Sequence, residues 1–248
     1  MRKVLLVTGG SRGIGAATCV LAAQKGWNVA VNYTANSKAA EEVVRHIEAA
    51  GGKGLAVQAD VSNETEVMAM FDKVRSELGP LQGLVNNAGV VDVSARLDEM
   101  SMARWRRMFD INVLGSMLCA REAIRQMSTQ HGGQGGAIVN LSSAASRLGA
   151  PGQYLDYAAA KGAIDSFTLG LAKEVAAEGI RVNGIRPGLI DTEIHASGGL
   201  PTRVKDLEHL VPVKRGGTAM EVAQAIIWLL SDEASYTTMS MLDVSGGR

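Results

Sequence analysis

Short apolar runs alternate with helical patterns from one end of the chain to the other, and this alternation constrains the fold more than any other feature. The apolar runs lie at residues 4–7, 29–33, 54–58, 84–86, 137–141, 180–185 and near 241–244. Helical patterns follow the first run as far as Lys25 and cover residues 38–50, 64–78, 101–127, 156–177 and 219–230. Continuous apolar runs between helices are typical of a parallel sheet that is covered on both faces. The sequence therefore predicts one α/β domain over residues 1–248, with no linker or repeat dividing it.

Composition argues against several classes of partner. The 248 residues are 46% hydrophobic, enough for a sizeable core, and 25 Lys and Arg balance 25 Asp and Glu. This neutrality argues against a nucleic-acid or anionic-membrane partner, and we interpret Arg104, Arg106 and Arg107 as one solvated helix face. No signal peptide or membrane-spanning segment is predicted, so we expect a cytoplasmic protein. Cys19 and Cys119 have no CxxC spacing and predict buried thiols; neither they nor the histidines predict a metal site.

A glycine-rich loop separates the first apolar run from the first helix. Residues 8–15 read T-G-G-S-R-G-I-G. Gly9, Gly13 and Gly15 permit a tight turn and let the backbone approach a pyrophosphate at the helix N-terminus. A flexible loop is the alternative, but the position between strand and helix favours nucleotide binding.

Tyr157 and Lys161 stand four residues apart in a helical pattern. Residues at this spacing lie on the same helix face, so the ammonium can lie beside the phenol. A free tyrosine ionises near pH ~10, and a neighbouring positive charge lowers that pKa. Taken alone, the pair also fits a packed ring beside a solvated lysine. The spacing by itself therefore leaves both interpretations open.

Six motifs occur together in one order and resemble the short-chain dehydrogenase/reductase family. They are the glycine loop at residues 8–15, N-N-A-G at residues 86–89, Asn112, Ser142-Ser143, the pair Tyr157 and Lys161, and Pro187-Gly188. The resemblance covers essentially the whole chain. It implies a single doubly wound Rossmann domain with a seven-stranded parallel sheet. It also implies an oxidoreductase that transfers hydride between a nicotinamide and a carbonyl or secondary alcohol, with no metal.

The resemblance implies four catalytic residues. Tyr157 would transfer the proton, and Lys161 would lower the pKa of Tyr157 and bind the nicotinamide ribose. Ser143 would hydrogen-bond the substrate oxygen, and Asn112 would hold a water in a proton relay. A capping serine and an ordinary polar helix residue are the alternatives for the last two. Tyr154 is not the catalytic tyrosine, because only Tyr157 has a lysine four residues on.

The cofactor contacts are likewise implied by the resemblance. They are Gly9, Ser11, Arg12, Gly13, Ile14, Gly15, Asn32, Tyr33, Thr34, Asp60, Val61, Asn87, Ala88, Gly89, Tyr157, Lys161, Pro187, Gly188, Ile190 and Thr192. Members that prefer NAD usually carry an acid after the second strand to bind the ribose 2′-OH. Residues 32–34 offer no acid, and Arg12 can pair with a 2′-phosphate. We therefore predict NADP as the cofactor, with NAD less favoured.

The sequence determines the substrate much less closely. We expect substrate contacts from Ser143, Arg147, Tyr154 and Tyr157, in a wall that includes Val91, Ala144, Leu189 and residues 194–200. The glycine-rich segment 194–200 predicts a mobile lid. A small alcohol or sugar-like substrate is preferred. A 3-ketoacyl-carrier-protein reductase is the alternative, although residues 132–136 and Glu178 offer no basic docking site. A non-catalytic dinucleotide-binding redox sensor is the alternative from another class.

Family members commonly form tetramers, so we expect a homotetramer or a homodimer. One departure bears on this expectation. The family usually has Thr-Gly before the last strand, whereas this chain has Thr238-Met239. Glycine permits a backbone conformation that methionine disfavours. Met239 therefore argues against the usual form of the last strand and of its oligomer contacts.

Overall fold

A computed structural model describes residues 2–248, except for the side chain of His195. Its strands are β1 Val4–Val7, β2 Asn28–Tyr33, β3 Gly54–Gln58, β4 Leu81–Asn86, β5 Gly136–Leu141, β6 Ile180–Pro187, β7 Ile190–Asp191, β8 Gly217–Thr218 and β9 Met241–Val244. Seven of them form one parallel sheet in the order β3-β2-β1-β4-β5-β6-β9, and β7 pairs with β8 separately. The predicted α/β fold with a seven-stranded parallel sheet is confirmed.

Helices connect the strands and cover both faces of the sheet. They are α1 Gly13–Gln24, α2 Ser37–Ala49, α3 Glu64–Leu78, α4 Met102–Phe109, α5 Gly115–Met127, α6 Ala145–Leu148, α7 Leu155–Val175, α8 Ile194–Ser197, α9 Arg203–Leu207 and α10 Ala219–Leu230. The predicted long helix over residues 101–127 is divided by a π-helical turn at Asp110–Leu114. Such turns inside helices are frequent at functional sites, and this one contains Asn112.

Successive residues of the central strands face opposite sides of the sheet and build two cores. Leu6 belongs to the core with Phe71 of α3 and Ala120 of α5 on one face, whereas Leu5 belongs to the core with Ala22 of α1 and Ile226 of α10 on the other. This alternation follows from the period of two along a strand. Both cysteines are buried and unpaired, one in each core, and burial raises the pKa of both thiols.

The connections leave β1 and β4 side by side at the centre of the sheet, where the strand order reverses. Ligands of doubly wound folds bind outside the carboxyl ends of the strands at such a point. Thr8, directly after β1, donates its backbone N–H to Val85 O of β4 at 3.0 Å. Its hydroxyl oxygen accepts from the backbone N–H groups of Asn87 and Ala88 at 3.0 Å each. The glycine loop and the N-N-A-G motif therefore form one edge.

The last strand forms despite the methionine before it. Met239 takes a φ of 63°, the left-handed conformation that favours glycine, and its N–H donates to Val182 O at 2.8 Å. β9 then pairs in parallel with β6, with Gly184 opposite Met241. A left-handed residue other than glycine costs about 1–2 kcal/mol, so the sheet pairing overrides this local preference.

The described residues lack two features, a membrane-spanning helix and a metal-binding cluster. No helix there is both long and apolar enough to cross a membrane. Residues 2–248, without the His195 side chain, also contain no group of three or more His, Cys, Asp or Glu side chains placed to hold a metal ion.

Candidate active site

Three of the four predicted catalytic side chains meet at one cavity of about 480 Å³. Ser143 follows the end of β5, and Tyr157 and Lys161 project from α7 into the same space. The Ser142 hydroxyl donates to the backbone O of Lys161 at 3.1 Å, which fastens α7 against the end of β5. The structure thus brings together residues from two elements that sequence reasoning could assign only by resemblance.

Asn112 lies behind this cavity and not in its wall. Its side chain is fully buried, and its Oδ1 accepts from the Val90 N–H at 3.1 Å while its Nδ2 donates to Val90 O at 3.0 Å. A Cβ added at Gly89 would lie 2.7 Å from Asn112 Oδ1 and 3.6 Å from Lys161 Nζ. Asn112 therefore fixes the backbone that passes beside Lys161. The proton relay assigned to it stays a prediction.

Lys161 bonds to the backbone and not to the phenol. Its Nζ donates to Leu141 O at 2.6 Å and lies 5.6 Å from the centroid of the Tyr157 ring. Burial lowers the pKa of Lys161 to about 8, although the Asp165 carboxylate opposes this shift.

The protein groups around Tyr157 do not by themselves lower its pKa, so the lowering expected from Lys161 stays a prediction for the cofactor complex. Burial raises the pKa of Tyr157 to about 12, and a hydrogen bond with Ser143 offsets only part of that rise. Desolvation penalises the phenolate, and the ammonium that was expected to compensate is turned to the Leu141 carbonyl. Tyr157 is therefore a protonated phenol at neutral pH, the form that can give a proton to a substrate oxygen.

A buried ion pair fixes the start of α7. Arg104 Nε lies 2.7 Å from Asp156 Oδ2 and Arg104 Nη2 lies 3.2 Å from Asp156 Oδ1. Asp156 Oδ1 also accepts from the N–H of Tyr157 at 3.0 Å. The interpretation of Arg104 as part of a solvated face is wrong, since only 9% of its side chain is exposed. Residues 104 and 156 are distant in sequence, so no local pattern reveals their contact.

The glycine loop packs so closely that larger side chains do not fit. Gly9 and Gly13 take φ of 60° and 53°, and a Cβ at Gly15 would overlap Gly9 O. Asn87 Nδ2 donates to Gly9 O at 2.9 Å, and Asn32 Oδ1 accepts from the Gly9 N–H at 3.1 Å. The loop thus stands at the N-terminus of α1 with its backbone open to a pyrophosphate.

The predicted cofactor residues divide into two groups. One group lines the cavity: Ile14, Asn87, Gly89, Tyr157, Lys161, Pro187, Gly188, Ile190 and Thr192. The other lies outside it along the carboxyl ends of β1, β2, β3 and β4: Gly9, Ser11, Arg12, Gly13, Gly15, Asn32, Tyr33, Thr34, Asp60, Val61 and Ala88. This is the elongated arrangement that a dinucleotide needs.

Two members of the outer group have side chains engaged within the protein. Asn32 is buried, and its Nδ2 donates to Ala59 O at 2.9 Å. Asp60 Oδ1 accepts from both the N–H and the hydroxyl of Ser62. Arg12 and Thr34 are exposed instead, and among the described residues Arg12 has no ion-pair partner.

The substrate side differs in part from the prediction. Tyr154 lines the cavity, as do Val91, Ala144 and Leu189. Arg147 does not. Its side chain is exposed, and its Nη2 lies 3.2 Å from both Asp243 Oδ1 and Arg248 O. Arg147 is therefore corrected from a substrate contact to a tether of the C-terminal segment. Residues 194–197, in the predicted lid, form the short helix α8.

Comparison with known proteins agrees with this geometry. A family model described as enoyl-(acyl carrier protein) reductase matches residues 9–248. The chain is 56% identical to the uncharacterised oxidoreductase YgfF of Escherichia coli, covering 99% of each chain. It superposes on a short-chain type dehydrogenase/reductase from Mycobacterium marinum with a TM-score of 0.92 and 34% identity, over 99% of this chain and 94% of that one.

The chain belongs to the short-chain dehydrogenase/reductase family. Two other relatives carry names that state a substrate. A cis-4-hydroxycyclohexanecarboxylate dehydrogenase of Sinomonas cyclohexanicum is 41% identical, over 99% of this chain and 96% of its own. A 3-oxoacyl-[acyl-carrier-protein] reductase of Staphylococcus aureus is 38% identical, over 100% and 98%.

As a short-chain dehydrogenase/reductase, the protein is an oxidoreductase of CH–OH groups that binds a nicotinamide nucleotide. The residues present fit this group, because no side chain caps the N-terminus of α1 at the glycine loop, which leaves its first N–H groups for a phosphate. When bound, the nicotinamide exchanges a hydride with the carbinol carbon.

Sequence reasoning missed part of the cavity wall. Leu148, Pro151, Gln153, Arg203 and Arg248 line it as well, whereas Ile194 was expected there. Residues 201–210, which include Arg203, contain none of the six motifs. Only two weak signals in the sequence could have indicated these wall residues. They are the polar Gln153 directly before Tyr154 and the basic Arg203.

Proposed function

We propose that the protein is an NADP-dependent oxidoreductase that interconverts a small secondary alcohol and its ketone. The convergence of Ser143, Tyr157 and Lys161 on one cavity beside the glycine loop supports this proposal above all. A non-catalytic redox sensor on the same fold would not need to keep a buried phenol, a hydroxyl and an ammonium at the same point.

The proton chemistry follows from the protonated state of Tyr157. In reduction, the phenol donates its proton to the carbonyl oxygen while hydride reaches the carbonyl carbon. The Ser143 hydroxyl donates a hydrogen bond to the same oxygen and stabilises its developing charge. The Lys161 ammonium, 5.6 Å from the centroid of the Tyr157 ring, attracts the phenolate by its charge without a direct hydrogen bond until solvent returns the proton. Oxidation runs these transfers in reverse.

Arg12 and the end of β2 support NADP as the cofactor. Arg12 is exposed beside the glycine loop, and Thr34 is exposed after β2. A guanidinium without an internal partner suits a 2′-phosphate, whereas a carboxylate at this place would repel it. A kcat/KM with NADH above that with NADPH would contradict the proposal.

The wall of the cavity favours a substrate with an apolar skeleton. Val91, Leu148, Leu189 and Ile194 present hydrocarbon to the space in front of Tyr157. Hydroxyl groups of a sugar would lose hydrogen bonds against such a wall. Of the two classes expected from sequence, the small alcohol is therefore the better fit. The ring alcohol named for the Sinomonas relative is of this kind.

A 3-ketoacyl-carrier-protein reductase remains the second candidate, because the Staphylococcus relative carries that name. The region where a carrier protein is expected to dock argues against this candidate. Residues 132–136 contain four glycines, and Glu178 is acidic, which suits an acidic carrier protein poorly.

We further propose a cytoplasmic homotetramer or homodimer. Phe109, Leu114, Met117 and Leu169 are exposed apolar side chains on or next to α5 and α7, and exposed apolar groups of this kind mark association surfaces. Light scattering measures the oligomer directly, and a monomer at micromolar concentration would contradict this part.

The deciding experiment is a spectrophotometric screen at 340 nm. NADPH and NADH are tested against cyclic ketones, sugars and a ketoacyl thioester, and NADP and NAD against the matching alcohols. We expect turnover of cyclic ketones with NADPH. Turnover confined to the thioester would favour the second candidate, and cofactor binding without any turnover would favour the sensor.

A further inference from the structure

Arg203 lies on the wall of the cavity without an acidic partner. It is the first residue of α9, and its Nη2 donates to Gln153 Oε1 at 2.8 Å. Among the described residues, no carboxylate lies within ion-pair distance of Arg203, and no second acceptor bonds to its guanidinium. A guanidinium carries five N–H donors. Most of them are therefore available to a ligand in the cavity.

Tyr154 holds the guanidinium in a defined orientation. The Arg203 Cζ lies 5.2 Å from the centroid of the Tyr154 ring, and Tyr154 itself is 7% exposed. A cation over an aromatic ring is stabilised by the ring, and the guanidinium N–H groups that do not bond to Gln153 can donate to a ligand. Arg203 is thus fixed by two neighbours before any ligand binds, which lowers the entropy lost on binding.

The charge of the cavity is one-sided. Lys161, Arg203 and Arg248 line it, and no Asp or Glu side chain occurs in the lining that the structure describes. A partly enclosed site with side-chain charges of one sign concentrates ligands of the opposite sign. Lys161 belongs to the proton-transfer centre, and Arg203 is the cation that Gln153 and Tyr154 hold on the substrate side. The apolar residues Val91, Leu148 and Ile194 share this wall.

We propose that Arg203 binds a carboxylate of the substrate, so that the protein acts on a hydroxy or oxo acid with an apolar skeleton. The proposal rests on the proposed function, because the same molecule must present its carbinol or carbonyl to Tyr157. The guanidinium fork matches a carboxylate with two parallel hydrogen bonds. Tyr154, which contacts Arg203, precedes Tyr157 by three residues. The substrate carboxylate and the reacting oxygen would therefore both bind near the N-terminus of α7.

Binding of an unreactive probe tests Arg203 apart from catalysis. Cyclohexanecarboxylate and cyclohexanecarboxamide are titrated by calorimetry into the full chain with saturating NADP. We expect the wild type to bind the carboxylate more tightly than the amide. Arg203→Ala should weaken carboxylate binding roughly 10–100-fold, the usual effect of losing a charged hydrogen bond. Arg203→Lys should keep only part of the wild-type affinity for the carboxylate, because the lysine ammonium lacks the forked N–H geometry of the guanidinium.

Lys205→Ala is the matched control. Lys205 is an exposed cation on the same helix, outside the cavity, and its removal should leave both affinities unchanged. Equal carboxylate binding by the wild type and Arg203→Ala would overturn the proposal, and so would undetectable carboxylate binding by the wild type. An equal loss of NADPH affinity in Arg203→Ala would also overturn it, because Arg203 would then serve the cofactor. Thermal unfolding confirms that each variant is folded.

Turnover separates this inference from the proposed function. Reduction of 4-oxocyclohexanecarboxylate and of its methyl ester by NADPH is compared in the same variants. We expect Arg203→Ala to lower kcat/KM for the acid by the factor seen in binding and to change the ester little. Turnover of both ketones without dependence on Arg203 would overturn the inference alone. No turnover of either ketone, with Arg203-dependent binding intact, would contradict the proposed function and support the carboxylate site.

Discussion

The inner end of the cavity rests on buried polar groups that bond to the backbone, whereas its outer end holds a cation with unused N–H donors. Lys161 in the wall and Asn112 behind it are at most 4% exposed, and each bonds to backbone atoms. Arg203 is half-buried on a five-residue helix, and among the described residues it contacts Gln153 through a hydrogen bond and the ring of Tyr154. The fold therefore fixes the proton-transfer centre, and the unused donors at the outer end can select the substrate.

The largest difference is expected between the two tyrosines of the site. Tyr157→Phe removes the proton donor, and loss of general acid catalysis lowers kcat roughly 10²–10⁴-fold. Tyr154→Phe removes a hydroxyl from the rim and should change kcat less than about tenfold, well below the range for a lost general acid. Steady-state kinetics with NADPH measures both.

The cofactor site provides the control for this pair. NADPH fluorescence titration should give the same affinity in both variants as in the wild type. If Tyr157→Phe kept more than a tenth of the activity, the phenol would not be the proton donor. If Tyr154→Phe were the worse variant, the assignment of the two tyrosines would be reversed.

Burial of the Lys161 ammonium at the inner end should measurably lower the free energy of unfolding at neutral pH. The pKa of Lys161 is about 8 in the fold, against 10.5 for an ordinary lysine. Below pH 8 the folded chain must keep a buried ammonium, and at about 1.4 kcal/mol per pH unit this costs roughly 3 kcal/mol. Between pH 8 and 10.5 the unfolded chain binds the extra proton, so the free energy of unfolding rises with pH. Lys161→Met removes this dependence.

Urea unfolding from pH 7 to 9.5 measures this pH dependence of the free energy of unfolding. The window lies below the pKa of about 12 of Tyr157 in the folded protein. The stability of Lys161→Met relative to wild type should fall by roughly 2 kcal/mol across that window. Lys173→Met, at an exposed lysine in the last turn of α7, should show a flat difference. A flat difference for Lys161→Met as well would mean that the ammonium is not destabilised by burial.

The same contrast explains what could be predicted from the sequence. The strands, the glycine loop and the pair Tyr157 and Lys161 follow local rules of period and spacing, so they were identified. The ion pair of Arg104 with Asp156 and the stacking of Arg203 on Tyr154 join segments about 50 residues apart. No local pattern encodes such contacts.

The raised pKa of Tyr157 could not be predicted from the sequence for a related physical reason. Spacing predicts that Lys161 lies on the same face as Tyr157. It cannot predict that desolvation exceeds the effect of the charge, nor that Nζ turns to the Leu141 carbonyl. The site that motifs define is therefore predictable in its residues and less so in its energetics.

A smaller effect is expected at Arg12, the exposed cation beside the glycine loop. Arg12→Ala should lower kcat/KM with NADPH roughly 10–100-fold through loss of a charged hydrogen bond, and should leave kcat/KM with NADH unchanged. Arg45→Ala, at an exposed arginine on α2 beside Glu42, is the control and should change neither. Equal losses with both nucleotides would show that Arg12 holds a part common to them. Unfolding in urea should be unaffected, as expected of a rim residue.

The smallest effects are expected from alanine substitutions at two glycines. At Gly89 the change in the free energy of unfolding reports packing at the inner end of the cavity, and at Gly170 it reports helix propensity. A Cβ at Gly89 would approach Asn112 Oδ1 to 2.7 Å, and Asn112 cannot move without breaking its bonds to Val90. Gly89→Ala should therefore lower the free energy of unfolding by about 1–2 kcal/mol, within the usual range for overpacking.

Gly170 lies inside α7 with nothing within 4 Å of an added Cβ. Gly170→Ala should raise the same quantity by about 0.5–1 kcal/mol, since alanine favours a helix more than glycine does. Opposite signs in urea unfolding would confirm that the backbone beside Lys161 is held by Asn112, whereas a stabilising Gly89→Ala would show that this wall has room to move.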